Sequence, residues 1–209
     1  MQDRAFRRQT KRAPTTFDQP YFHLLFQRAD MARQGRFRPS TRAAGTPKPA
    51  MSGNEIEIGE CTDDVLSFIR SQSEHARLVT SVCTGSLVLG AAGLLNGYKA
   101  TSHWASLDQL ALLGAEPVNE RVVRDRNRIT GAGVTSGIDF ALNVVSEIHG
   151  SNIAQTIQLH LEYDPEPPFT CGSPRTASKE QLKNAQEQAA PFIEKRRQAT
   201  LKAAARLFR

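Results

Sequence analysis

Residues 78–104 read LVTSVCTGSLVLGAAGLLNGYKATSHW, and the fold is decided there. Leu78-Val79-Thr80-Ser81-Val82 is short, apolar and rich in β-branched residues, the composition of a buried strand. Cys83-Thr84-Gly85 interrupts it. Ser86-Leu87-Val88-Leu89-Gly90-Ala91-Ala92-Gly93-Leu94-Leu95 is small and apolar throughout, as suits a helix laid against a sheet, and Asn96-Gly97 closes it. Lys99-Ala100-Thr101-Ser102-His103 then reads as a second short strand. Strand, tight turn, helix, strand is the unit from which parallel sheets are built.

The alternation continues outward. Upstream, Thr62 is the expected N-cap of a helix with Asp63 and Asp64 in its first turn and Val65, Leu66, Phe68 and Ile69 as its apolar stripe. Downstream, a helix runs through Leu107, Leu110 and Leu113 to Gly114. Arg121-Val122-Val123-Arg124 and Arg128-Ile129-Thr130 are strands around the turn Asp125-Arg126-Asn127. After Gly131-Ala132-Gly133 comes a helix from about Thr135 to His149, with Ile138, Ala141, Leu142, Val145 and Ile148 on one face. A further helix carries Ile153, Ile157 and Leu161. This order predicts an α/β layered fold with a largely parallel sheet.

Cys83 stands where a strand ends and a helix begins. Such a turn presents the side chain above the sheet edge, beside the free N–H groups of the helix start. The positive end of the helix dipole is expected beside the thiol there. The N–H groups of Thr84 and Gly85 are placed to meet a developing negative charge. The alternative is a structural cysteine in the core. His103 is read as the end of a second strand, and strand C-termini of a parallel sheet share one edge, which brings it toward Cys83. Gly133 and Thr135 end a third strand and are candidates to wall the same crevice; Thr135 serves equally as a helix cap. There is no metal-ligand spacing, phosphate-binding loop or dinucleotide fingerprint.

These residues resemble a known family. SVCTGSLVLGAAGLLNGYKATSHW (81–104) and GAGVTSGIDFALNVV (131–145) look like the PfpI-type, glutamine-amidotransferase-like superfamily. Its members place a cysteine elbow after a strand, a TxHW or TTHP motif further on, and a G-x-T-S-x-x-D/E-F-A-L helix last. The Cys-Thr-Gly elbow and YDPEPPFTCGSP (163–174) look most like the isonitrile hydratases, and the match runs from about 62 to about 190. The resemblance implies a flavodoxin-like three-layer sandwich and hydration of an isonitrile, a small-molecule substrate, to an N-substituted formamide. It makes Cys83 the nucleophile, Thr84 the hydroxyl beside it and His103 the histidine near the thiol. Gly85, Gly133 and Thr135 are read as substrate-binding from their own places around the crevice. The resemblance implies a homodimer and no cofactor or metal. Peptidases of the family carry His directly after the cysteine, where this chain has Thr84, which argues against proteolysis.

The sequence also departs from the pattern. The family's acidic partner of the cysteine and its Gly-Gly turn are not visible, Asp18 being a weak candidate for the acid and Gly53 and Gly59 forming no such turn. The match begins abruptly near Thr62. The expectation is that residues 1–60 are out of frame or disordered and that the fold is incomplete at its N-terminus. An alternative function is ligand sensing, as in AraC-type transcription regulators, which use a similar elbow. Those continue into a DNA-reading module, and only 35 residues follow position 174. A second alternative is an inactive fragment.

Charge divides the chain the same way. Residues 1–50 hold 11 Lys+Arg and 3 Asp+Glu, residues 51–174 hold 7 and 15, and residues 175–209 hold 9 and 3. The net +6 thus conceals a middle of −8, so the candidate catalytic part gives no reason to expect a nucleic-acid partner. The division read from the sequence is 1–60, an irregular basic segment; 61–174, an α/β domain; and 175–209, a basic helical tail. Ser178-x-x-Gln181 is a capping box opening the tail. Leu182, Ala185, Ala189, Phe192 and Ile193 are placed to pack on the domain. Pro191 is expected to kink or split the helix. Leu201, Ala204, Ala205 and Phe208 share one side of an end read as solvated. No apolar run approaches the roughly 18 residues of a membrane span. Three cysteines without a CxxC pair fit a reducing, cytoplasmic setting.

Overall fold

The computed structural model describes residues 61–209, all within one unit, Glu55–Arg209. The basic first segment, Asp18, and the glycines Gly53 and Gly59 lie outside the described residues.

Helix α1 (Asp63–Ser73) opens at Thr62, whose side chain makes no capping bond. It buries Leu66 and packs Ile69 against the core, while Val65 and Phe68 stay exposed. Strand β1 (Val79–Val82) follows, and α2 (Gly85–Ala91) lies beyond the turn at 83–84. The sequence carries this helix on to Leu95. It stops at Ala91 because Gly93 turns into the left-handed region at φ 78°. Gly90 has a different reason to be glycine. A Cβ there would lie 2.8 Å from Leu113 Cδ1, so its absence lets α2 close on the 3₁₀ helix Trp104–Leu113. Leu87, Leu95, Leu110 and Leu113 fill that junction and are fully buried.

The second strand is shorter than expected, and it joins a different ladder. Strand β2 (Lys99–Ala100) pairs in parallel with β3 (Glu116–Pro117), a strand the sequence did not announce. In the other sheet, β1 pairs in parallel with β5 (Arg128–Gly131), from Val79 opposite Arg128 to Val82 opposite Gly131. Strand β5 pairs antiparallel with β4 (Val122–Asp125). Two residues, Arg126 and Asn127, join β4 to β5, too short a link for any but a hairpin. Arg126 takes φ 51° to make it. The Asp125 carboxylate then accepts the Lys99 N–H at 2.9 Å and ties β2 to the hairpin. The described residues form a mixed α/β unit with a partial sheet, two of whose ladders are parallel.

Helix α3 (Ser136–His149) follows the β5 loop, and α4 (Ser151–His160) packs against it. The stripe read as inward is only half covered: Leu142 and Val145 are half-buried, whereas Ile138, Ala141 and Ile148 are exposed.

Helix α5 (Lys179–Leu207) begins with the expected capping box, both of whose bonds form: Gln181 N–H to Ser178 Oγ at 3.1 Å and Ser178 N–H to Gln181 Oε1 at 3.0 Å. Two tail readings are corrected. Pro191 does not split the helix, which runs unbroken through it. Nor is the end a solvated tail. Arg196 donates to Ser106 Oγ at 2.9 Å, and Thr200 Oγ1 donates to Gln109 Oε1 at 2.8 Å, both at buried positions. Ala199 and Ala203 pack on the core between and after them. These anchors hold the helix on the far side of Pro191, as the capping box holds it on the near side. Leu201 and Phe208, on the stripe suggested by hydrophobicity, remain exposed. Among the described residues no helix is long and apolar enough to cross a membrane.

Candidate active site

Strand β1 delivers the chain to Cys83, which reverses it at φ 58° before α2 begins. A non-glycine residue in this region carries a cost of about 1–2 kcal/mol, so neighbouring bonds must hold it. They come from both sides of the residue. The Cys83 N–H is shared between the carbonyls of Gly131, at 2.9 Å, and Ala132, at 2.8 Å, at the end of β5. The Cys83 carbonyl accepts Ser86 Oγ–H at 3.0 Å and Ser102 Oγ–H at 3.2 Å. The thiol is free and half-buried, whereas Cys61 is buried and Cys171 exposed.

Thr84 and Gly85 follow at the helix start, where N–H groups have no intrahelical acceptor. The Thr84 side chain is half-buried and makes no capping bond. A methyl group on Gly85 would meet Ser81 Cβ only at 3.4 Å, an ordinary contact, so packing against the protein does not demand glycine there.

His103 reaches this neighbourhood by a route different from the one expected. It does not end a strand of the β1 sheet. Strand β2 stops at Ala100, and His103 caps the 3₁₀ helix, accepting the Ala105 N–H on Nδ1 at 3.3 Å. That bond leaves the proton of a neutral ring on Nε2. The segment is brought in by side chains. Thr101 N–H donates to Thr130 Oγ1 at 2.9 Å, and Ser102 reaches the Cys83 carbonyl. On the other side, a Cβ on Gly133 would stand 3.6 Å from His103 Cδ2. The loops after β1, β2 and β5 therefore meet, bringing Cys83, His103 and Gly133 into one region.

Thr135 is exposed at the N-cap position of α3, but its side chain forms no cap bond. Its carbonyl accepts the Arg121 Nη2–H at 2.9 Å. Arg121 also pairs with Asp139, which accepts Tyr163 Oη–H at 3.1 Å. The bond to Asp139 raises the Arg121 guanidinium above its ordinary pKa. This cluster joins YDPEPPFTCGSP (163–174) to the start of α3. Among the described residues, no group of three or more His, Cys, Asp or Glu is placed to hold a metal ion.

Sequence reasoning missed Ser86, Ser102 and the Arg121–Asp139–Tyr163 cluster. It also missed Ser136, a fully buried serine whose hydroxyl has no hydrogen-bond partner in the structure. Ser136 lies under the β5 loop, its Oγ 3.0 Å from where a Gly131 Cβ would be. The one available signal was serine at positions where the neighbours are small and apolar.

A family model described as the DJ-1/PfpI family matches residues 55–147. The chain is 57% identical over 152 residues to an isonitrile hydratase of Pseudomonas putida, an alignment covering 72% of this chain and 67% of that protein. It is 34% identical over 107 residues to the HTH-type transcriptional regulator GbdR of Pseudomonas aeruginosa, covering 49% of this chain and 29% of the regulator. Among solved structures, a ThiJ/PfpI family protein from Pseudomonas syringae superposes with a TM-score of 0.66 at 49% identity. That match covers 68% of this chain and 59% of the other.

Proposed function

The chain belongs to the DJ-1/PfpI family, and from that membership we propose that it hydrates an isonitrile to an N-substituted formamide, with Cys83 as nucleophile. The observation that carries this reading is the 57% identity to the Pseudomonas putida isonitrile hydratase. The strained turn that presents the Cys83 thiol supports it.

In the proposed reaction the Cys83 thiolate attacks the terminal isonitrile carbon, and that carbon takes up a proton. The product is a thioimidate, in which carbon is bonded to sulfur and doubly bonded to nitrogen. Water adds to the same carbon, the C–S bond breaks, nitrogen gains a proton, and the formamide leaves with Cys83 restored. One water is consumed and no electrons are exchanged, so no cofactor is required. Thr84 relays protons, together with the acid that the family pattern places beside the cysteine. His103, with its Nδ1 already engaged, stands beside Gly133 as a second polar wall. The Gly85 N–H faces developing negative charge, and Gly133 and Thr135 border the substrate.

The same reading completes the architecture as a flavodoxin-like three-layer sandwich and the assembly as a homodimer. Exposed Ile138, Ile148 and Ile153 on α3 and α4 are apolar surface that a second subunit would cover. Light scattering of the purified chain measures the assembly directly.

The test of function is an alkyl isonitrile incubated with the full chain and with Cys83→Ser, the formamide being followed by NMR. The parent should turn over and the variant should not. Equal turnover, or none in either protein, rejects the catalytic reading. The identity to the GbdR regulator favours a second reading, ligand sensing. It would appear as saturable isonitrile binding by both proteins without formamide.

A further inference from the structure

We propose that Ser102 is a positioning residue for Cys83, acting together with Ser86 through the Cys83 carbonyl; the proposal rests on the reading of Cys83 as the nucleophile. The direction of the thiol is set by the two peptide groups that flank Cys83, because the residue occupies a left-handed conformation, φ 58°, that its own sterics disfavour. The peptide before it is fixed by the Gly131 and Ala132 carbonyls. The peptide after it has a weaker claim on the backbone. Its carbonyl lies two residues ahead of α2, and the nearest helix donor, the Ser86 N–H, stands at 3.5 Å. Two hydroxyls add shorter bonds to this long one: Ser86 Oγ at 3.0 Å and Ser102 Oγ at 3.2 Å.

Neither serine has solvent to replace the bond, since Ser86 is 0% and Ser102 1% exposed. Their origins differ. Ser86 belongs to the first turn of α2. Ser102 comes from the segment that precedes His103, and Thr101 pins that segment to Thr130. Ser102 is therefore the direct bond between the thiol-bearing turn and the residues that carry His103. Loss of this hydroxyl leaves the Cys83–Thr84 peptide held from the Ser86 side alone, so that the thiol, and with it the Thr84 N–H of the same peptide unit, drifts from its aim.

Ser86→Ala, Ser102→Ala, the double variant and Ser102→Thr are compared in the full chain. Two readouts are taken. One is the pH profile of Cys83 alkylation by iodoacetamide, scored by peptide mass spectrometry so that Cys61 and Cys171 are counted apart. The other is kcat and KM for an alkyl isonitrile. Ser102→Ala is expected to displace the alkylation profile and lower kcat about tenfold with KM within about twofold. The double variant should fall below the product of the singles, because in each single one hydroxyl still covers the carbonyl. Ser102→Thr keeps the hydroxyl and should recover most of the loss. Parent-like alkylation and kcat in folded Ser102→Ala, or effects that simply multiply, overturn the proposal. If Ser102→Ala does not fold, a parent-like alkylation profile in Ser86→Ala overturns it instead, and a displaced one supports it. If no protein makes formamide, the alkylation arm still decides the role of Ser102, and only the hydration reading fails.

Discussion

Arg196 of α5 donates from Nη1 to Ser106 Oγ at 2.9 Å, and both residues are buried. The bond joins the C-terminal helix to the 3₁₀ helix that His103 opens. Thr200 bonds Gln109 one turn further along, and Arg197 pairs with Asp108 at the surface. The Arg196 guanidinium also lies 4.3 Å over the Phe192 ring. Arg196→Ala removes a charged donor and leaves a buried hydroxyl unpaired, a combined loss of about 2–3 kcal/mol. Urea unfolding should show the midpoint falling accordingly. A midpoint equal to the parent's would mean that the seam contributes nothing.

Pro191 gives the opposite sign. It sits exposed in the interior of α5, where it cannot donate to the Glu187 carbonyl. A proline in a helix interior costs about 3 kcal/mol relative to alanine. Part of that is already relaxed in a helix held at both ends. Pro191→Ala should stabilise the chain by about 1–2 kcal/mol and raise helical ellipticity. Destabilisation would show that the proline shapes the helix for its seat on the domain.

The contrast between these two residues shows what the sequence could tell. The turn at 83–85 was legible because a β-branched run, a small-residue break and an apolar run differ sharply in composition. The seam of α5 was not, because its central residues are Arg196 and Thr200. Hydrophobicity pointed instead to Leu182, Ala185, Ala189, Phe192 and Ile193, of which Ala185 and Phe192 are exposed and none is fully buried. Strand β3 holds two residues, one of them Pro117, and carries no alternation to detect. His103 came to the site for a reason other than the one given: hydroxyl bonds from Thr130 and Ser102, not a shared sheet edge. Periodicity locates elements well, but bonds between serine or threonine hydroxyls and distant backbone leave almost no mark on it.

Asp125 makes a prediction in pH. The Arg126 guanidinium, and then the Lys99 N–H, hold its carboxyl below the ordinary value of 3.8. A carboxyl depressed on folding binds its proton more readily in the unfolded chain. Its contribution is therefore complete above about pH 4 and is lost as pH falls through the lower folded value. Asp125→Asn should differ little in the shape of its stability curve near neutrality. It should lack this part of the acid-side decline below pH 4, seen as a flatter unfolding midpoint against pH. Carbon-13 titration of the Asp125 carboxyl checks the direction itself, and a midpoint at or above the ordinary value would reject it.

Cys83 separates stability from chemistry. Its φ of 58° is one that glycine adopts freely and alanine does not. Replacing Cys83 by Ala removes the thiol and keeps the strain. Replacing it by Gly removes both, and the two variants differ at the backbone by roughly 1 kcal/mol in favour of glycine. Cys83→Gly should therefore unfold at higher urea than Cys83→Ala, although glycine loses more freedom on folding at ordinary positions. Neither variant should make formamide. If Cys83→Ala proves the more stable, the turn is not strained, and the bonds from Gly131, Ala132, Ser86 and Ser102 would hold a conformation the residue already prefers.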